Sequence, residues 1–457
     1  MKKLPLPMQF KISKGLTIPI SGDINLSSIE TINAKKIALL GEDYHGLKPT
    51  MLVKEGDTVI KGQPLFEDKK NPGVNFISPA SGKVIEINRG ERRAFLSLVI
   101  EKDLENLNQV NFDSIPDDEL SKDFIIKNLL SSGCWTSFKT RPFSKVPKID
   151  AIPNEIFISL IGSDPLSLNP EIYLEENIEE FNYGLEVLSH IPKNCVHIST
   201  SMDFNLTQLD SDKIRYYQFV GPHPVGLVGT QIHNISPVSS KNPVWTIGYQ
   251  DVAMIGKLFK KGILDTSRMI ALCGPQIKNP CRLNSEIGAC IDEIIRGKEE
   301  EGENRYISGS VLCGKESGKS VNYLGRFDYQ VSALREVNKG DRELLNFLRP
   351  GLLKHSSLNL FLTKFKEKYL KLKYTTAMNG ADRAIVPIGI FEDIFPYNIM
   401  ITQLLKSIVI GDTELAQQLG ILELDEEDLS LCTYSCPSKY DYGSLLREML
   451  TKIEEEG

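Results

Sequence analysis

The 457-residue chain has no uninterrupted apolar run near the ~18 residues that a bilayer-crossing helix needs. Its two most apolar patches, 244–255 and 399–410, are broken by Gln, Asp, Gly, Thr or Lys. Contact with a membrane is therefore expected only through a partner. The basic opening Met1-Lys-Lys-Leu-Pro-Leu-Pro-Met8 has neither a continuous apolar core nor a small-residue cleavage site, which predicts an intracellular chain. Positive charge is short: 53 Lys+Arg against 60 Asp+Glu give a net charge of −7. That sign is wrong for neutralising phosphates, and nucleic acid is excluded as a partner.

Cofactor-holding motifs are also missing. Eight cysteines scattered over the chain form no disulfide framework. Cys134, Cys195, Cys273, Cys281, Cys290 and Cys313 lie in or near apolar stretches and read as small buried hydrophobes. Cys432-Thr-Tyr-Ser-Cys436-Pro437 matches the end of a ferredoxin cluster run, but the two upstream cysteines would fall at Glu426 and Leu429. Two thiolates do not hold a four-iron cluster. Cys313-Gly-Lys-Glu-Ser-Gly318-Lys319-Ser320 lacks the first glycine of a phosphate loop and reads as a hairpin loop. His223 and His233 sit ten positions apart in a Gly/Pro-shaped segment, a spacing outside the common zinc patterns. The sequence thus predicts no catalytic, cofactor-binding or metal-ligating residues.

What is present is organised. Hydrophobic content of 41% and charged content of 25% are ordinary for globular protein, so each section can bury a core. Residues 1–103 read as mostly β. Gly56-Asp57 and Gly62-Gln63 sit at turns before Val59 and Leu65, and Pro79-x-x-Gly82-x-Val84 starts a return strand, the pattern of a biotinyl/lipoyl-like barrel-sandwich hybrid. Lys69 near the hairpin tip is either a carrier lysine or an ordinary loop lysine. The extra Asn71-Pro72-Gly73 turn lengthens the tip and favours the second reading. A polar stretch, 104–117, reads as a linker, followed by a helix from Asp118 to Ser131. Strand-like Ile156–Ile161, helical Ile172–His190 and strand-like Val196–Ser199 and Tyr216–Val220 give a βαβ rhythm and a Rossmann-like domain over 104–262. The first loop of that unit, Gly162 to Pro170, is interrupted by proline and carries no G-x-G-x-x-G, so no dinucleotide is expected on it.

A compact unit follows over 263–335: strand Met269–Cys273, helix Glu286–Arg296, strand Tyr306–Leu312. Residues 336–457 read as helical, clearest at Ser444–Glu455, where Leu445, Leu446, Met449, Leu450 and Ile453 share a face. Two segments interleave aromatic and basic residues, Tyr44-His45-Gly46 and Phe138-Lys-Thr-Arg141-Pro-Phe143-Ser-Lys145. Such a pattern suits either a planar ligand with polar ends or a domain interface.

Several longer strings resemble the A subunits of the Na+-translocating NADH:quinone reductases. They are Ile37-Ala-Leu-Leu-Gly-Glu-Asp43, Phe66-Glu-Asp-Lys-Lys-Asn-Pro-Gly73, Thr140-Arg-Pro-Phe-Ser-Lys-Val-Pro147, Gly221-Pro-His-Pro-x-Gly-Leu-x-Gly-Thr230, Ile307-Ser-Gly-Ser-Val-Leu312 and Leu422-Glu-Leu-Asp-Glu-Glu-Asp-Leu429. The resemblance runs over nearly the whole chain. It implies an α/β multidomain protein: a sandwich (1–103), a Rossmann-like domain (104–262), a β-grasp or SLBB-like domain (263–335) and a C-terminal helical domain (336–457). The family is also similar to the flavin-carrying NADH subunit of complex I, as well as to the C subunit of the Rnf complex. The resemblance further implies a peripheral position on the cytoplasmic face of the bacterial inner membrane, in a six-subunit complex, with the membrane-embedded B subunit as chief partner. FAD, FMN and iron–sulfur centres belong to the other subunits, and this chain is expected to hold none. The complex passes electrons from NADH to ubiquinone and moves Na+ outward. Within this picture Arg141 and Lys145 are the expected polar contacts to a quinone, with Tyr44, Phe138 and Phe143 as its walls. The alternative is a structural scaffold without ligand contact.

Overall fold

The computed structural model describes residues 7–105, 108–114, 120–337, 355, 370–378, 380 and 383–456. Part of the expected linker 104–117, the expected helix start at Asp118 and most of 338–369 lie outside these residues. The described chain is mixed α/β, with sheets of six, six, four and three strands.

The N-terminal barrel-sandwich follows from its turns. Gly56 (φ +94°) and Gly62 (φ +88°) adopt left-handed backbone that a side chain disfavours. They let the short antiparallel strands fold back on one another. Lys36–Leu40, Phe95–Lys102, Gly82–Arg89 and Thr58–Val59 form the four-stranded sheet, and Pro49–Met51, Pro64–Asp68 and Asn75–Ile77 the three-stranded one. Val59, Leu65 and Val84 are completely buried between them. Lys69 is exposed. Beyond it the lengthened hairpin tip is anchored, because Asn71 Nδ2 donates to the Pro147 carbonyl (2.8 Å).

The first two strands of the chain pair elsewhere. Met8–Lys11 runs parallel to Ile214–Val220, and Asn25–Thr31 runs parallel to Cys281–Glu286. The N-terminal segment thus stitches two further sheets together before the sandwich begins.

The first six-stranded sheet has the order Met8–Lys11, Ile214–Val220, Val196–Thr200, Ile156–Leu160, Val244–Thr246, Lys139–Arg141, parallel except for the last pair. Helix Pro170–Ser189 starts with Asn169 accepting from the Glu171 N–H and with Pro170 in its first turn. It packs on helix Tyr249–Lys261 at two glycines. A Cβ on Gly256 would collide with the Glu180 carbonyl oxygen, and one on Gly184 with that of Val252. No larger residue permits this approach.

The second six-stranded sheet departs from the expected β–α–β unit. Glu286 closes a strand, Cys281–Glu286, and the helix is confined to Ile291–Ile295. Gly288, with φ +73°, turns the chain between them against the Ala38 carbonyl. Strand Gln330–Arg335 completes the sheet between Ser267–Cys273 and Asn304–Ser308. The segment after Asn304–Ser308 returns as Lys315–Glu316 in a hairpin. Cys313 is exposed on it, whereas the other five apolar-context cysteines are buried as expected.

Near the C-terminus, helices Ile390–Ile394, Ile401–Ile410, Thr413–Gln418, Ser430–Ser435 and Tyr442–Glu456 surround a core containing Leu404, Leu405, Leu446 and Leu450. Among the described residues no helix is long and apolar enough to cross a membrane.

Candidate functional site

Three widely separated strings of the sequence meet at one point: 140–147, 221–230 and 422–429. Strand Lys139–Arg141 ends at a cis Arg141–Pro142 bond, and Phe143 and Ser144 follow with positive φ. The turn is closed by Thr140 N–H to the Lys145 carbonyl and Ser144 N–H to the Thr140 carbonyl, both 2.8 Å. This geometry holds Arg141 inward against the acidic segment 425–428. Its Nη1 donates to Asp428 Oδ2 (2.9 Å) and to the Glu423 carbonyl (3.3 Å), and its Nη2 to Glu427 Oε1 (3.2 Å). Asp425 Oδ2 lies 3.5 Å from Nη2 and accepts from the Ser144 hydroxyl (2.6 Å). The third string enters through Gly229, where any Cβ would run into Asp428 Oδ1 and the Tyr397 hydroxyl. That hydroxyl donates to Asp428 Oδ1 (2.9 Å).

A second arginine closes the cluster from helix Tyr442–Glu456. Arg447 donates to Asp425 Oδ1 (2.7 Å), to both oxygens of Glu426 (2.6 and 2.5 Å) and to the Phe143 carbonyl (2.8 Å). Lys145 pairs with Glu454 on the same helix. His45, from the sandwich, approaches Glu426 at 3.4 Å. Burial, reinforced by Arg447, pushes its pKa down to about 3, so the contact is made by a neutral imidazole. His233 accepts the Asn398 N–H at Nε2 (3.0 Å), which leaves Nδ1 to donate to Glu423 Oε2 (2.7 Å).

Charge in this cluster is unevenly held. Asp425 is buried, yet Arg141, hydrogen bonding and Arg447 keep its carboxyl well below the usual range. Burial raises Glu426 to about 7 and Glu427 to about 8, assisted by the neighbouring carboxylates and opposed by the arginines. Asp425 therefore stays charged between Arg141 and Arg447, while at neutral pH Glu426 is about half protonated and Glu427 mostly so.

Tyr44 and Phe138 stand apart from that cluster. Phe138 is fully buried against Trp135 (5.9 Å between ring centres) and Trp245 (5.3 Å). Tyr44 packs edge-on against Phe76 (4.6 Å) and Phe327 (5.9 Å). It lines an apolar cavity of about 40 Å³ with Phe76, Cys134, Met254, Leu264 and Arg326. That volume admits about two or three waters, not an aromatic ring. Arg326 there reaches Asp251 Oδ1 (2.8 Å) and Ser137 Oγ (2.7 Å), while its backbone N–H donates to Asp43 Oδ2 (2.8 Å). Asp251 also pairs with Arg268. The five predicted residues therefore divide. Arg141, Phe143 and Lys145 form one contact with the C-terminal segment 423–454, Phe138 lies in the core beneath it, and Tyr44 lines the cavity. The acidic segment 425–428 has no assigned role in the sequence pattern, and Arg447 has no signal there at all. The one local cue is four consecutive carboxylates.

Comparison with known proteins bears on nearly the whole chain. Family models described as the NqrA N-terminal barrel-sandwich hybrid domain, the NqrA second alpha/beta domain and the NQRA C-terminal domain match residues 10–103, 120–264 and 269–319. The chain is 47% identical over 451 residues to the A subunit of the Na(+)-translocating NADH-quinone reductase of Marinomonas sp. (strain MWYL1), covering 98% of this chain and 100% of that one. Its likeness to the protein of the same name from Yersinia pseudotuberculosis serotype I (strain IP32953) is 47% over 454 residues, with 98% and 100% covered. For Histophilus somni (strain 129Pt) the figures are 47% over 450 residues, 98% and 99%. Among solved structures, an H2-reduced NAD+-reducing [NiFe]-hydrogenase aligns with 73% of this chain and 60% of its own at TM-score 0.36 and 9% identity, too little to carry an argument.

Proposed function

This chain belongs to the family of A subunits of the Na+-translocating NADH-quinone reductases, an oxidoreductase complex, and from that premise we propose that it is a peripheral docking protein which also contributes to quinone binding. In this reading it sits on the cytoplasmic face of the bacterial inner membrane, chiefly against the membrane-embedded B subunit. The complex passes electrons from NADH to ubiquinone and drives Na+ outward, with FAD, FMN and iron–sulfur centres in the partner subunits. The domain plan carried with it is a sandwich to residue 103, a Rossmann-like domain to 262, a β-grasp domain to 335 and a helical domain beyond.

The observation that supports docking is the carboxylate–arginine cluster around Arg141. It ties the C-terminal helices to the 139–145 turn and to His45 of the sandwich, so that a partner would meet one rigid surface. Exposed Met400 and Ile410 on that C-terminal unit supply apolar area for contact. The quinone contribution rests on Tyr44. Its ring lies with Phe76 beside Arg326 but is buried, and the cavity there holds only a few waters, so a quinone reaches this apolar wall when contact with a partner chain opens it. Phe138, Arg141, Phe143 and Lys145 then act behind that wall by holding the domains in register.

A photoreactive ubiquinone analogue applied to the assembled complex tests this directly. Label on peptides carrying Tyr44 or Phe76 supports it, and label confined to other subunits sinks the quinone contribution. The second reading, a scaffold without ligand contact, is favoured by the full occupation of Arg141 by carboxylates. It predicts that Arg141→Ala releases this chain while the residual complex keeps its quinone affinity.

A further inference from the structure

On one face of the first six-stranded sheet, at the ends where the strands begin, three metal-ligating side chains converge. Val196 pairs with Ile156 and His197 with Phe157, so Glu155 and Cys195 stand one step before the first pair. Successive strand residues alternate faces, and Cys195 and His197 therefore point the same way. His197 Nε2 lies 3.4 Å from Cys195 Sγ and 3.4 Å from Glu155 Oε1. The ligand atoms of all three residues fall within 4.8 Å of one another. Tetrahedral zinc, with bonds of about 2.3 Å to sulfur and about 2.0–2.1 Å to nitrogen and oxygen, sets its ligands about 3.3–3.6 Å apart. The two measured edges fit that figure.

We propose that Glu155, Cys195 and His197 form a three-ligand site for a divalent cation of the zinc class, with one coordination position left for water. The site is dry: side-chain exposure is 4% for His197 and 14% for Glu155. Glu155 Oε2 is buried with no well-aligned hydrogen-bond donor, although the Ser236 and Asn194 side chains are close to the carboxylate, and a cation would satisfy that oxygen. The imidazole is already oriented, since its Nδ1 lies 3.2 Å from the Tyr217 hydroxyl and its ring stacks on Phe157 at 4.5 Å. Metal-bound histidines carry such an outer partner on their other nitrogen. One thiolate, one imidazole and one carboxylate suit zinc better than magnesium or calcium, which prefer all-oxygen sets. Burial raises the Cys195 and Tyr217 pKa values, and Arg215 nearby opposes that rise from the positive side of the site. Binding displaces one proton, from the Cys195 thiol, and involves no redox change.

The site is tested on the full-length chain after chelator treatment, by titration with Co2+ and competition by Zn2+. One Co2+ per chain is expected, with a thiolate-to-cobalt charge-transfer band that Zn2+ abolishes. Cys195→Ser should remove the band, His197→Ala should weaken binding at least ~100-fold, and Tyr217→Phe about 10-fold, in line with outer-partner effects. Cys313→Ser, on the exposed hairpin, should change nothing. Absence of the band in the unaltered chain, or its survival in Cys195→Ser, overturns the proposal. Should Cys195→Ser fail to fold by circular dichroism, the unaltered chain decides alone. Zn2+ is expected to protect Cys195 from alkylation in mild urea, and equal alkylation with and without Zn2+ overturns the site.

Discussion

Arg141 and Asp428 stand 287 positions apart in the chain, yet their side chains meet at 2.9 Å with exposures of 2% and 1%. Nothing in this contact is left to solvent. Two charges so enclosed are costly to desolvate and are held by mutual attraction and by two further donors to Asp428, the Tyr397 hydroxyl and the Asp425 N–H.

Removing one side of that pair should therefore be severe. Arg141→Ala leaves Asp425 and Asp428 buried with reduced compensation, and a loss of about 3–5 kcal/mol is expected. Trp135 and Trp245, packed 5.3 Å apart beneath the turn, report it: the urea midpoint of their fluorescence should fall. An unchanged midpoint would show the cluster to be energetically idle.

The same cluster predicts a pH dependence. Glu426 and Glu427 have folded pKa values raised to about 7 and about 8 by burial, so their contribution is complete below the ordinary glutamate range and is lost as pH rises through those values. Asp425 is held well below its ordinary range, and its contribution is lost only in stronger acid. The melting temperature should fall between about pH 5 and about pH 9, and Glu426→Gln with Glu427→Gln should flatten that slope. A slope of opposite sign in the unaltered protein would refute the assignment.

Gly256 offers a packing test. Gly256→Ala drives a methyl group into the Glu180 carbonyl and should cost about 1–3 kcal/mol by forcing helices Pro170–Ser189 and Tyr249–Lys261 apart. Gly318→Ala serves as the control, since its backbone is extended (φ −174°) and no atom lies within 4 Å of the added Cβ. Comparable thermal shifts in both variants would contradict the close crossing.

Lys69 is expected to carry nothing. The intact chain purified from its complex should weigh 51.2 kDa with no lipoyl or biotinyl increment. Lys69→Arg should leave quinone reduction by the complex unchanged. A mass increment on the Lys69 peptide would restore the carrier reading.

Legibility in the sequence followed locality. Helix Tyr442–Glu456 was readable because Leu446, Met449, Leu450 and Ile453 repeat at helical spacing and are all buried. The sandwich turns were readable because Gly56 and Gly62 occupy conformations that few other residues accept. Strands Cys281–Glu286 and Gln330–Arg335 were not, being short and buried and lacking a distinctive alternation. Cys195 reads as a small hydrophobe until the sheet sets it beside His197 and Glu155. The only sequence cue was the Cys-x-His spacing, which means something on a strand and little elsewhere.

By itself the sequence determined the family, the sandwich, the helical end of the chain and the lack of a membrane-crossing apolar run, because each is written in neighbouring residues or in long matching strings. Only the tertiary structure decided that Met8–Lys11 and Asn25–Thr31 belong to other sheets, and that Arg141 and Lys145 direct their charge to the C-terminal carboxylates. The reason is physical. A charge's partner is set by which surfaces pack together and exclude water, and segments separated by hundreds of residues carry no local periodicity that announces their meeting.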